Sequence, residues 1–123
     1  MIKGAAILFG LVFLVVGILG FVPAAAPNEM LLGIFHVNTA HNFVHLASGV
    51  VFLLCGLAGT GPSRTFFQIF GVVYALVAVL GFFYGDQPLL GLISNNMADV
   101  WLHVVLAVAM LFLGFGARET ATI

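Results

Sequence analysis

Four long apolar runs dominate the sequence and limit what it can fold into. They cover residues 5–22, 38–58, 66–84 and 97–115. At a rise of about 1.5 Å per residue, each run can cross about 30 Å of hydrocarbon with some tilt. Lipid offers the backbone no hydrogen bonds, and the runs are continuous rather than alternating, so each is expected to be a helix. The sequence predicts an all-α fold, a membrane four-helix bundle.

Composition and charge indicate the environment of the chain and the partners that it can bind. Apolar residues make up 63% of the sequence and charged residues 6%, which is outside the range of soluble proteins and predicts one transmembrane domain over residues 1–123. The lipid bilayer is therefore its expected partner. With three basic residues and a net charge of −1, the chain cannot neutralise a phosphate backbone, so nucleic acid is excluded. The single cysteine, Cys55, excludes an internal disulfide and any cysteine-based metal motif.

An internal repeat organises the runs into two halves. GIFHVNTAHNFVHLASGVVFLLCG, starting at Gly33, aligns without a gap with GLISNNMADVWLHVVLAVAMLFLG, which starts 58 residues later at Gly91. Upstream, Phe9-Gly10 aligns with Phe70-Gly71, so the first run corresponds to the third. It is therefore expected to be a structural helix rather than a cleaved secretory signal. Repeat one covers roughly residues 4–58 and repeat two roughly residues 65–115.

The repeat also predicts topology. Two tandem αα-hairpin repeats have the same orientation, so a pseudo-two-fold axis along the membrane normal should relate them. Glycine and proline mark the expected breaks, at Pro23, Pro27, Gly59, Gly61, Pro62, Gly85 and Pro88. Lys3, Arg64 and Arg118 all lie on the side that carries both termini, which the positive-inside rule assigns to the cytoplasm. Glu29 and Asp86 are then expected outside.

Three of the four histidines lie at the head of the second run, in HVNTAHNFVHLASG. Asn38 and its repeat partner Asn96 are suited to N-caps. Helical spacing places Asn38, His41, Asn42 and His45 on one stripe, and Asn96, Asp99 and His103 on another. Both stripes should face the interior, because unpartnered polar groups in lipid cost several kcal/mol. His36 is expected at the interface. Tyr74 in mid-span needs a partner for its hydroxyl, which a polar stripe could supply, although its match to Phe13 favours ordinary packing.

The segments GIFHVNTAHNFVHL and NNMADVWLH resemble a bacterial integral-membrane family known as domain of unknown function 4383. The likeness covers nearly the whole chain. It implies a bacterial integral-membrane protein with four helices. Together with the positions of the basic residues, this predicts a protein of the bacterial cytoplasmic membrane with cytoplasmic N- and C-termini. No activity, cofactor or residue role comes with the resemblance, so the chemistry has to be argued from the polar residues.

Metal or haem binding is the favoured functional interpretation of these residues. His41 and His45 at i, i+4, with Asp99 and His103 at the same spacing, offer imidazole and carboxylate ligands between helices two and four. Such ligands suit zinc, copper, iron or manganese, with Asn38, Asn42 and Asn96 as supporting polar groups. In a second form, His45 and His103 are the axial ligands of haem b.

Two other interpretations stay open. The polar groups form a structural staple in a membrane scaffold or interaction protein, with His41 bonded to Asp99 and Asn42 to His103. Alternatively they relay protons or a small solute, although the residues below His45 and His103 are apolar. No nucleophile–base motif or phosphate-binding loop is present, so an enzyme is not expected without a cofactor. A homo-oligomer or another membrane protein stays open as a partner.

Overall fold

The computed structural model describes residues 1–117, and these form four long helices. They are α1 (Ile2–Leu19), α2 (Thr39–Ala58), α3 (Thr60–Tyr84) and α4 (Met97–Leu111), the last continued by a π-helical turn at Phe112–Gly116. Each helix, α4 counted with its π-helical turn, is long and apolar enough to cross a membrane. The all-α prediction of four membrane helices is confirmed, while Arg118 lies outside the described residues.

Two predicted boundaries differ from the structure. Helix α1 ends at Leu19 instead of residue 22. Before Pro23 the chain continues in a tighter turn, in which the N–H groups of Phe21 and Val22 donate to the carbonyl oxygens of Ile18 and Leu19. Helix α3 begins at Thr60 instead of residue 66. The predicted break at 59–62 therefore shrinks to Gly59, whose φ of 132° suits only glycine. Pro62 lies in the first turn of α3, where its missing N–H is not needed.

Glycines allow the two helices of each hairpin to pack closely. A Cβ atom added to Gly10 of α1 would lie 2.9 Å from the carbonyl oxygen of Gly49 in α2. In the second hairpin, a Cβ atom added to Gly114 would lie 2.7 Å from the backbone nitrogen of Gln68 in α3. Real Cβ atoms do not come this close to backbone atoms, so glycine is required for the observed separation.

The two connecting loops that follow α1 and α3 share an unusual conformation. In the first, β1 (Met30–Leu31) pairs antiparallel with β2 (Phe35–His36), and in the second, Leu89 and Ile93 form a matching bridge. Leu32 and Leu90 are both left-handed, with φ of 55° and 53°. Positions 58 residues apart thus adopt the same local structure. The two-fold axis itself stays a prediction.

The helices define a loop side, formed by residues 20–38 and 85–96, and a terminus side, which includes the start of α1 and Gly59. An aromatic core lies between the polar residues and the terminus side. It consists of Phe13, Phe52, Phe67 and Tyr74, each at most 4% exposed, with neighbouring rings 5.3 to 5.9 Å apart. This core closes the middle of the bundle with apolar side chains.

We expect Gly10→Ala to lower the melting temperature in detergent, because the added methyl group collides with the backbone of α2 and overpacking costs about 1–3 kcal/mol. Gly4→Ala is the matched control, since nothing lies within 4 Å of a Cβ atom at Gly4. That control should keep or raise the melting temperature through helix propensity. Equal melting temperatures for the two variants would contradict the close α1–α2 contact.

Candidate functional site

Asparagine side chains start both helices that carry the polar stripes. The Oδ1 atom of Asn38 accepts the backbone N–H of His41 at 2.9 Å, and Oδ1 of Asn96 accepts that of Asp99 at 2.8 Å. The predicted N-caps are confirmed. Each cap satisfies an orphan donor and fixes the first turn from which the stripe projects.

The same two asparagines also join the loops to each other. Asn38 Nδ2 donates to the carbonyl oxygen of Leu92 at 3.1 Å, and Asn96 Nδ2 donates to that of Ile34 at 3.0 Å. We call this reciprocal pair of bonds the asparagine clasp. Each bond runs from the helix start of one repeat to the loop of the other. The clasp therefore ties the two hairpins together on the loop side.

Asp99 is bonded to backbone donors on the loop side. Its Oδ2 atom accepts the N–H groups of Asn96 at 3.1 Å and of His36 at 3.2 Å. The first bond completes the capping box that the spacing predicts. The second reaches the first loop, where the carbonyl oxygen of His36 also accepts the hydroxyl of Ser94 at 3.0 Å.

The hydrogen bonds predicted for the structural staple are wrong in detail. Within residues 1–117, His41 is not bonded to Asp99, and Asn42 is not bonded to His103. Backbone N–H groups already engage the Asp99 carboxylate, which leaves His41 without that partner. Asn42 instead packs against Gly20, where an added Cβ atom would overlap its amide. The loops are stapled by the clasp and by Asp99.

Three imidazoles meet beneath the clasp, and we call them the histidine cluster (His41, His45 and His103). Their side chains are only 4 to 6% exposed. The ring of His41 lies 4.6 Å from that of His45, one turn along α2, and 6.3 Å from that of His103 on α4, measured between centroids. The predicted stripes of α2 and α4 are therefore buried and bring these three rings together.

Aromatic rings support the cluster from below. His45 packs against Phe13 at 5.2 Å, and His103 packs edge-on against Tyr74 at 5.4 Å. These are corresponding pairs in the two repeats. Tyr74 thus packs as its match to Phe13 indicated, and it does so against the polar stripe of α4, which the sequence had left open as its neighbour. The signal available was a hydroxyl in mid-span at a position that is phenylalanine in the other repeat.

The histidine cluster contains unpartnered polar atoms. In the part of the chain that the structure describes, the Nδ1 atoms of His41, His45 and His103 are buried without a hydrogen-bond partner, as is Oδ1 of Asn95. Leaving such a group unsatisfied costs about 1–3 kcal/mol. Three such nitrogens at one place therefore need an explanation, and a bound ion or water is a common one.

A cavity of about 60 Å³ adjoins the cluster. Its inner wall is formed by the three imidazoles and Tyr74, and its outer wall by the aliphatic residues Val44, Val77, Leu89 and Ile93. The space exceeds what one water molecule needs. It is far below the roughly 300–1,000 Å³ of sites for larger ligands.

The family model described as a domain of unknown function, DUF4383, matches residues 3–116. The chain belongs to this family. The resemblance noted in the sequence is thereby confirmed. No curated protein and no solved structure matches the chain. The function of this DUF4383 protein therefore has to be argued from its own site.

The cavity sets conditions on each predicted cofactor of the DUF4383 protein. Within residues 1–117, no three His, Cys, Asp or Glu side chains are already arranged to hold a metal ion. A metal would require the imidazoles to turn toward a common point. Haem between His45 and His103 would require much more, because a porphyrin exceeds the cavity and the helices would have to separate. A single metal ion therefore requires a smaller rearrangement of the site than haem does.

The clasp of the DUF4383 protein can be tested with two substitutions at one position. Asn38→Ser keeps a capping oxygen but cannot reach Leu92, whereas Asn38→Ala loses both bonds. We expect the free energy of unfolding in detergent to be about 0.6 kcal/mol lower for the serine variant than for wild type. The free energy of unfolding of the alanine variant should be about 1 kcal/mol lower again than that of the serine variant, because the cap is also lost. A serine variant as stable as wild type would show that the cross-loop bond contributes nothing.

Proposed function

We propose that this protein binds a single transition-metal ion at the histidine cluster. One observation carries the proposal: apart from Asn42, which packs against Gly20, the polar residues of the stripes divide into two groups. Asn38, Asn96 and Asp99 have hydrogen-bond partners that account for their presence. The three histidines have buried Nδ1 atoms with none. A staple explains the first group and leaves the second unexplained.

Ligation would give the unpartnered nitrogens a role. Neutral imidazole is a common ligand of zinc, copper and iron, and a deprotonated ring nitrogen offers the required lone pair. The rings would have to rotate to direct three nitrogens at one point, and the adjoining cavity provides space for this movement. Three protein ligands leave a fourth position open, as in catalytic rather than structural zinc sites.

Asp99 is left out of the proposed ligand set. Its Oδ2 atom accepts two backbone N–H groups, and breaking these bonds would expose the start of α4 and the first loop. Transport is also less favoured. The aromatic core lies next to the cluster toward the terminus side, and its rings offer no polar group to continue a proton or solute path, apart from the Tyr74 hydroxyl beside the cluster itself.

Metal binding should depend on the cluster and be independent of His36. We expect purified wild-type protein to retain about one zinc, copper or iron ion per chain after reconstitution. His45→Ala and His103→Ala should weaken binding at least tenfold, because each removes one of three ligands. The matched control is His36→Ala, which removes an imidazole outside the cluster and should leave binding unchanged.

Melting temperature in the presence of metal gives a second measurement. An ion at 100 times its dissociation constant stabilises the folded state by about 2.7 kcal/mol. Wild type and His36→Ala should show this increase, and the cluster variants should not. If wild type takes up none of the three metals and its melting temperature does not change, the proposal is wrong.

We further infer that the terminus side faces the cytoplasm of a bacterial cell. Arg64 supports this orientation, since its guanidinium binds the carbonyl oxygen of Ala117 at 2.8 Å on that side. Lys3 lies there too, with its carbonyl oxygen beside Gly56. Glu29 and Asp86 belong to the loop side. This distribution agrees with the positive-inside rule and puts the histidine cluster near the outer surface.

Cysteine labelling of intact cells checks the orientation. In a Cys55→Ala background, Glu29→Cys and Gly61→Cys place exposed thiols on the loop side and the terminus side respectively. A membrane-impermeant maleimide should label only Glu29→Cys, and permeabilisation should make both variants reactive. Labelling of Gly61→Cys alone in intact cells would show that the protein has the opposite orientation.

A further inference from the structure

The cavity beside the histidine cluster extends to the outward-facing surface of the bundle. Val44 of α2 forms part of its outer wall and is 39% exposed, while Val77 of α3 is half-buried beside it. The cavity therefore lies directly behind the surface at the seam between α2 and α3. For helices that cross a bilayer, this surface is in contact with lipid.

The other approaches to the cavity are closed. On the loop side, Leu89 is only 4% exposed and its N–H donates to the carbonyl oxygen of Ile93 at 2.7 Å, so a hydrogen-bonded aliphatic turn covers the cavity. Toward the terminus side, the aromatic core blocks the way. The lateral seam is the approach on which an exposed residue, Val44, lines the cavity.

The lining also limits the charge of an occupant. In the part of the chain that the structure describes, no Asp, Glu, Lys or Arg lines this cavity. A charged molecule that entered along the seam would lose its hydration without meeting an opposite charge. An uncharged molecule that dissolves in lipid would lose nothing comparable, and small apolar cavities in proteins bind such molecules.

We propose that an uncharged, lipid-soluble molecule of the size of dioxygen or nitric oxide enters between α2 and α3 and binds against the histidine cluster. The volume of about 60 Å³ suits a molecule of this size and excludes larger lipophilic rings. The inference deepens the proposed function and rests on it for the metal, whose open coordination position such a molecule would occupy. The cavity and its lateral entrance depend on geometry alone.

Xenon is a suitable probe, because it is uncharged, lipid-soluble and visible by its electron density. Crystals of the full chain grown in a lipid mesophase and pressurised with xenon should contain a xenon atom in the cavity. Val77→Phe should abolish this site by filling the seam. Val73→Phe is the matched control, since Val73 lies one turn away on α3, is 39% exposed and does not line the cavity.

A second blocking variant keeps the test valid where Val77→Phe does not fold. Val44→Phe blocks the seam from α2, and both blocking variants are compared with wild type by melting temperature before crystallisation. Loss of xenon in whichever blocking variant keeps the wild-type melting temperature supports the lateral entrance. Absence of xenon from the wild-type cavity, or undiminished xenon in a folded blocking variant, overturns it.

Metal analysis of the same preparations separates the two proposals. Bound metal without xenon in the cavity would refute the lateral entrance and leave the metal site intact. Xenon in the cavity without metal after reconstitution would refute the metal site and support the entrance. Nitric oxide added to Fe(II)-loaded protein should give an electron paramagnetic resonance signal that forms at least tenfold more slowly in Val77→Phe than in Val73→Phe.

Discussion

A polar group in hydrocarbon has no water to bond, so it must find a partner within the protein or remain unsatisfied at a cost of several kcal/mol. The loop side of this protein is arranged by that requirement. Each capping asparagine uses its oxygen for its own helix and its nitrogen for the opposite loop. With its cap bond and its clasp bond, each asparagine thus satisfies four polar groups, and the clasp fixes how the two hairpins meet.

The two repeats use equivalent positions for different purposes. His41 and Asp99 are aligned, and both follow a capping asparagine by three residues. Asp99 turns toward backbone N–H groups of its own helix start and of the first loop. His41 turns toward the other imidazoles. The two aligned positions therefore hold a structural carboxylate in one half of the chain and a third member of the histidine cluster in the other.

Sequence reasoning reached the helices, the N-caps and the buried stripes because each depends on periodicity and local hydrogen bonding. It placed the start of α3 too late because Pro62 resembles a break, although proline is tolerated in a first turn. It paired His41 with Asp99 because spacing cannot reveal that two backbone N–H groups engage the carboxylate first. It left the neighbour of Tyr74 open between a polar stripe and apolar packing, because the choice depends on how α3 is rotated in the bundle.

The connection between α2 and α3 is a single residue, Gly59, and it gives the bundle a mechanical asymmetry. Two helices that are joined by one residue change their angle to each other mainly at that residue. Any increase in the separation of α2 from α3 is therefore smallest beside Gly59 and grows along the helices toward the loop side. Val44 and Val77 lie well away from Gly59, while the clasp holds the two hairpins together on the loop side. A change in membrane thickness or lateral pressure that widens the seam would therefore reach His45 through α2.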